Sequence, residues 1–332
     1  MTSSAEKPAR VPDFFIVGHE KCGTTALYRI LRSHPQIFLP ELKEPRWFVR
    51  DPDSTPVGGG AGVLPRTLEE YLDLFAGARA QQIAGEASPQ YIRSETAAQR
   101  IAELCPQARA IAILREPVSF LRSFHLACVR SGIEDERDLR RALELEPERR
   151  EGKRIPPGCR APGRLLYSEH VRYVEQLSRF ERALSPEQVH VIVYDDLRRE
   201  NERTARAALR FLGVDDTLAL DISNSDGRRR KAVRNAPLHR LALALKRARR
   251  WPDSAPAPLR ALDALTPRWL EAAARRATYA PPQPLDDRLT VELRQRFAPE
   301  VAALAEHLGR DLLLEWGYRA PIVAQDGAHN LR

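Results

Sequence analysis

With 332 residues, 43% of them hydrophobic, the chain can bury a full core, and disorder is expected only at its ends. Its formal net charge of +8 points to an anionic partner without choosing among nucleic acid, an anionic membrane surface and a highly charged small ligand. Cys22, Cys105, Cys128 and Cys159 form no CxxC pair, which speaks against a disulfide framework or a zinc site; no apolar leader opens the chain and no run approaches the ~18 apolar residues of a spanning helix, so a soluble, cytoplasmic protein is expected.

In chain order, FFIV (14–17) is a β-rich run ended by Gly18, and from Thr24 a helix is expected with Ala26, Leu27, Ile30 and Leu31 on one face. Similar apolar runs recur at 37–39, 82–84, 110–114 and 189–194, with helical patterns between them. This alternation predicts an α/β fold, a P-loop-like parallel sheet with helices on both faces. Thr67-Leu68-Glu69-Glu70 has the form of a capping box opening a helix that Gly77 closes. Segments 51–66, with three consecutive glycines, and 131–163, with Pro156-Pro157-Gly158, read as surface loops or lids. Residues 166–184 carry helical periodicity, and 236–320 form a mostly helical extension: an amphipathic basic helix at 238–249, a long helix at 289–308 and Trp316 as terminal anchor. A single domain over 12–320 follows, with flexible tails at 1–11 and 321–332.

The loop GHEKCGTT (18–25) keeps the glycine spacing of a nucleotide P-loop, G-x-x-x-x-G-K-[ST], but Thr24 stands where the lysine belongs. The lysine is inside the loop, at Lys21, in a chain where only six of the 53 basic residues are lysine. The amides of Gly23, Thr24 and Thr25 form an anion site at a helix N-terminus. An ordinary strand-to-helix turn is the competing reading. Cys22 could be a nucleophile at such a corner; a phosphatase loop would need arginine where Tyr28 stands, so Cys22 reads as a small residue that fits. Further on, AIAILREPVSFLRSF ends a strand in Arg115 and starts a helix with Pro117 in its first turn and Ser123 eight residues after the arginine. Arg115 then lies at the carboxyl edge of the sheet, where a guanidinium plus a hydroxyl suits a phosphate monoester; a plain surface charge is the alternative.

KCGTTAL after a strand, KEPRWF some twenty residues on, GEASPQY, ILREPVSFLRS and VHVIVYDDLRRENERTARAALRFLGV together resemble the sulfotransferases that use 3′-phosphoadenosine 5′-phosphosulfate (PAPS), and within them the carbohydrate, heparan-sulfate-type branch and its bacterial counterparts. The resemblance runs over roughly residues 12–235. It implies that Lys21 contacts the bridging region of the phosphosulfate, that Cys22, Gly23, Thr24 and Thr25 hold the 5′-phosphate, and that Arg115 and Ser123 hold the 3′-phosphate. It also implies that Arg229, Arg230 and Lys231 in GRRRKAVR close over the 3′-phosphate and adenine, with no metal required. A sulfonyl group carries less charge than a phosphoryl group, so what needs stabilising is the leaving phosphate oxygen, and a lysine aimed there supplies it.

Transfer to a hydroxyl needs a base in line with the leaving phosphate. Glu44 of KEPRWF matches the family's catalytic glutamate and is preferred over His19, with His125 third; His34 reads as a helix C-terminal cap. Lys43, Arg46, Trp47, Ser88 and Tyr91 are expected to line the acceptor site, while Ala87 replaces a lysine of some heparan enzymes, against a polyanionic acceptor. The acceptor is expected to be a hydroxyl of a carbohydrate, lipid or secondary metabolite. A P-loop kinase, with Tyr194-Asp195-Asp196 as its nearest magnesium-binding candidate, and a non-enzymatic anion- or nucleic-acid-binding protein are the alternatives; the spread of basic residues and 7% aromatics disfavour nucleic acid.

Overall fold

The computed structural model describes residues 10–49, 64–223, 232–250, 274 and 276–319. Apolar runs without polar alternation become strands buried on both faces. Strand β1 (Phe14–Gly18) is buried at every position, and β4 (Arg109–Leu114) is buried after its first residue. They form the middle of a five-stranded, all-parallel sheet completed by β2 (Ile37–Phe38), β3 (Ile83–Ala87) and β5 (Val189–Val193), in the order β2-β3-β1-β4-β5. Parallel neighbours require crossover connections, and the helical stretches between the runs supply them. On one face, α1 (Thr24–Arg32) packs against α9 (Asn201–Leu212), and α9 also touches β5. On the other, α3 (Ala97–Leu104) packs on α7 (Tyr173–Ala183), which lies against β4.

This order puts the end of β1 at the reversal of the sheet, where open α/β folds bind ligands. Register sets Gly18 opposite Ile113, so closely that a Cβ at Gly18 (φ 120°) would lie 2.6 Å from the Ile113 backbone. Only glycine fits, and the chain turns immediately into the loop. Beyond β4, α4 (Pro117–Ser131) starts on an N-cap carboxylate, with Glu116 accepting from the amides of Val118 (2.9 Å) and Ser119 (2.7 Å).

Two expectations are corrected. The helix α2 (Leu68–Asp73) ends before Gly77, and its box is half made: Thr67 Oγ1 accepts from the Glu70 amide at 3.1 Å, while the Glu70 carboxylate takes the amide of Arg66 rather than that of Thr67. Segment 131–163 is no open loop, for it holds α5 (Leu139–Glu144) and α6 (Glu146–Arg150) around a fully buried ion pair, Arg149 Nη2 to Glu134 Oε1 at 2.8 Å. Glu134 Oε2 accepts from the Tyr167 hydroxyl at 2.9 Å, and Oε1 also accepts from the amides of Asp135 and Glu136. Glu134 and Arg149, which read as solvent-facing, satisfy one another inside. Most of the other expected lid, 51–66, lies outside the described residues.

Behind these lie α8 (Tyr194–Arg199), running directly out of β5, and the C-terminal elements. Helix α10 (Ala236–Arg250) is tied to α4 through His239 Nε2 and the Val129 carbonyl, 3.1 Å apart. An unforeseen antiparallel pair joins β6 (Ala232–Val233) to β7 (Tyr279–Ala280). Helix α11 (Asp287–Leu308) packs on α4 and α7, and α12 (Leu312–Glu315) brings Trp316 into the core as expected. No helix among the described residues is long and apolar enough to cross a membrane.

Candidate active site

The corner between β1 and α1 has the form of an anion site. Gly23, the N-cap of α1, adopts φ 91° and leaves the helix start without a side-chain cap. A Cβ there would meet Leu197 at 3.0 Å and the Tyr194 ring at 3.1 Å, so the loop lies directly on α8. Lys21 is also left-handed, at φ 71°. Arg115, at the end of β4 and 5% exposed, donates from Nη1 to the Lys21 carbonyl at 3.1 Å and stacks its guanidinium 4.4 Å from the centre of the Tyr194 ring. The Tyr173 hydroxyl donates to the Arg115 carbonyl at 2.7 Å. Arg115 is thereby fixed from both sides against the β1–α1 loop, and Ser123 is buried on α4 in the helix that follows.

The side chain of Cys22 does not belong to this surface. It is fully buried, burial pushes its thiol up to about 12, and its amide donates to the His19 carbonyl at 3.2 Å. A nucleophilic or ligand-touching thiol is ruled out by that burial. His19 is equally enclosed, among Phe120, Tyr173 and His170. Its Nε2 lies 2.8 Å from Gln176 Oε1, and because Gln176 Nε2 donates to the Glu169 carbonyl, His19 Nε2 is the donor. Burial, reinforced by Arg93, lowers its pKa to about 3, so it is neutral, and it lines the small cleft beside the loop. His125 lies under Tyr167 with Nε2 2.9 Å from the Glu136 carbonyl, away from the loop. His34 follows the C-cap Ser33, and its ring reaches the Asp215 carbonyl at 2.8 Å.

Glu44, at φ 64°, is anchored by its amide on the Ala87 carbonyl at 3.1 Å. Its carboxylate accepts from Lys43 Nζ on Oε1 (3.1 Å) and from Arg46 Nη2 (2.6 Å) and Gln90 Nε2 (3.0 Å) on Oε2. Partial burial pushes the carboxyl up, but Lys43 and Arg46 outweigh it and hold the group below the usual carboxylate range. Trp47 stacks on Tyr71, centroids 5.4 Å apart. Ser88 and Tyr91, expected against the acceptor, are fully buried instead. Both donate to Glu86, at 2.7 Å each, as does Tyr71 at 2.9 Å, and Ser88 Oγ accepts from the Arg46 amide at 3.1 Å. They form a floor that shapes the Glu44–Arg46 turn from beneath. Burial raises Glu86 to about 7 against these three donors. Arg229, Arg230 and Lys231 lie outside the described residues.

Three side chains that sequence reasoning passed over complete the cleft. Glu20, inside the phosphate loop, is held bidentately by Arg164, at 3.1 and 2.6 Å. Gln90 Nε2 donates to Glu20 Oε1 at 2.7 Å as well as to Glu44. Burial pushes Glu20 up, yet Arg164, Arg46 and Gln90 bring it down to about 2. A carboxylate within an anion-gripping loop was itself the available signal, since it demands a cation from elsewhere in the chain. Glu20, Gln90, Arg93, Phe124, Arg164 and His170 wall a small cleft beside the loop. Asp196, in the first turn of α8, is engaged by Arg310, with Nη2 to Oδ1 at 2.9 Å, which does not favour the magnesium-binding role a kinase would give it.

Residues 12–147 match the model of the Sulfotransferase family. Human carbohydrate sulfotransferase 15 is 44% identical over 66 residues, 20% of this chain and 12% of that protein. Mouse heparan sulfate glucosamine 3-O-sulfotransferase 6 is 34% identical over 110 residues, 33% of this chain and 28% of that one. The chain thus matches only a small part of the length of these curated relatives. A sulfotransferase from Alicyclobacillus acidocaldarius shares the fold over 93% of this chain and 99% of its own, with a TM-score of 0.65 and 27% identity. The likenesses agree on one family: residues 12–147 match the Sulfotransferase family model, and the fold of the chain is that of a solved bacterial sulfotransferase.

Proposed function

We propose that the protein transfers a sulfonate group from PAPS to a hydroxyl of a carbohydrate or secondary-metabolite acceptor. The observation that carries this reading is the position of Glu44, one amide side chain away from the phosphate loop: Gln90 bonds Glu20 of that loop and Glu44 simultaneously, at 2.7 and 3.0 Å. A loop with the form of an anion site and an ionised carboxylate thus lie one amide side chain apart, which supports in-line transfer between them.

PAPS, when bound, supplies an activated sulfonyl group whose bond to the 5′-phosphate breaks as a new sulfur–oxygen bond forms. The uncapped start of α1, the left-handed Gly23 and the clamped Arg115 fit such an anionic donor. Gly23, Thr24 and Thr25 hold the 5′-phosphate, Lys21 neutralises the charge that develops on its leaving oxygen, and Arg115 with Ser123 takes the 3′-phosphate. The resemblance assigns Arg229, Arg230 and Lys231, outside the described residues, to the adenosine side. Glu44 accepts the acceptor's proton, and Lys43, Arg46 and Trp47 border the entering hydroxyl. A carboxylate held ionised by Lys43 and Arg46 is a weak base, which suits a hydroxyl that becomes acidic as its oxygen bonds to sulfur.

Calorimetric titration with adenosine 3′,5′-bisphosphate and with ATP, each with and without magnesium, tests this reading. Metal-independent bisphosphate binding, weakened at least about tenfold in Lys21→Ala and Arg115→Ala and not matched by ATP, is the expected result. Preference for magnesium-ATP would return the loop to the kinases.

A further inference from the structure

The chain of contacts Arg164–Glu20–Gln90–Glu44 has a consequence for how the base works. The Gln90 amide lies between two carboxylates, which settles its orientation: Nε2 must face both, and its two hydrogens go one to Glu20 Oε1 and one to Glu44 Oε2. Glu44 Oε2 then has both lone-pair directions in use, by Arg46 and Gln90, whereas Oε1 accepts, among the described residues, from Lys43 alone. One lone pair of Oε1 remains for a substrate proton.

We propose that Gln90 and Glu20 are positioning residues for the base: Gln90 pins Glu44 Oε2 so that Oε1 receives the acceptor's proton, and Glu20, itself anchored by Arg164, supplies the negative charge that keeps Glu44 basic between two cations. The proposal rests on the reading of Glu44 as base. The charged groups facing Glu44 are Lys43 and Arg46 from its own turn and Glu20 from the phosphate loop, with Arg164 behind Glu20. Lys43 and Arg46 draw the Glu44 proton off, and Glu20 opposes them. The arrangement also makes the phosphate loop one wall of the base, so that Arg164, in the turn at Pro162–Leu165, reaches Glu44 without touching it.

The test is a carboxyl-carbon NMR titration of protein labelled at the glutamate side chain, with the Glu44 signal assigned by its loss in Glu44→Gln. In Gln90→Met, which keeps the length but cannot donate, the Glu44 midpoint is expected to move up in pH. In Glu20→Gln, which removes the opposing charge, it is expected to move down. Either folded variant decides by itself, and an unmoved or oppositely moved midpoint in either overturns the proposal. Release of bisphosphate from PAPS with water as acceptor separates this from the underlying reading. If Glu44→Gln turns over at the wild-type rate, Glu44 is not the base, whatever the midpoints do; if Glu44→Gln is inactive and the midpoints stay put, only the positioning roles fail.

Discussion

At the scale of single residues, burial sets the protonation of several histidines and of Glu86, and the signs predict a pH dependence of stability. His19 is held down to about 3, and His125, His170, His190 and His239 are also lowered, in each case chiefly by burial. Histidines with depressed pKa stabilise the fold above their unfolded value near 6.5, and that contribution is lost as pH falls below it. Glu86 works the other way: raised from 4.5 to about 7, it stabilises below 4.5 and loses that contribution as pH rises through 7. Between pH 5 and 6.5 the melting temperature is therefore expected to climb, with Glu86 opposing the climb. Calorimetry should find a steeper rise in Glu86→Gln and a flatter one in His19→Gln, each changing the slope by up to ~1.4 kcal/mol per pH unit. Identical slopes in all three proteins would show that neither group titrates as its burial implies. Residue scale is also where sequence was least sufficient. The placement of Lys21, Arg115 and Glu44 beyond strand ends was legible because their motifs follow apolar runs. Ser88 and Tyr91 were misjudged because nothing in GEASPQY tells that its hydroxyls turn inward onto Glu86. Gln90, between them, faces the cleft.

Among elements, the strands and the main helices were legible from period alone, while 131–163 was not, since a charged segment looks the same whether its charges face water or each other. Arg149 and Glu134, 15 positions apart and both 0% exposed, decide that case. Breaking the pair should therefore cost far more than a surface bridge would. Glu134→Ala is expected to lose roughly 3–5 kcal/mol, because it strands a buried guanidinium, while Glu134→Met combined with Arg149→Met should recover most of that loss in urea unfolding. A loss under about 1 kcal/mol in the single variant would mean the segment opens to water, as a loop does. The same segment leads into the turn that carries Arg164, so its packing sets where Glu20 is held.

Over the whole molecule, the C-terminal helices close back on the elements that follow β4 and β5. The Tyr318 hydroxyl donates to Glu116 Oε1 at 2.9 Å, the carboxylate that caps α4, and Arg310 bonds Asp196 in α8. The extension expected from its helical periodicity is thus fastened to the two elements that follow β4 and β5. Removing the chain after Leu308 is expected to lower the melting temperature while keeping one calorimetric transition; two transitions in the intact protein would mean that the helical extension folds as a separate unit. The arginine-dominated composition has its own result at this scale. Most ion pairs here join arginine to a carboxylate, and arginine keeps its charge at any pH a protein survives. Lysine is scarce, six positions in all, and two of them sit where donor and acceptor would meet: Lys21 in the loop and Lys43 on Glu44. Carbon-13 methylation of lysine amines, which preserves charge, would therefore give only six side-chain signals, few enough for those of Lys21 and Lys43 to be assigned by single substitutions and followed on nucleotide addition.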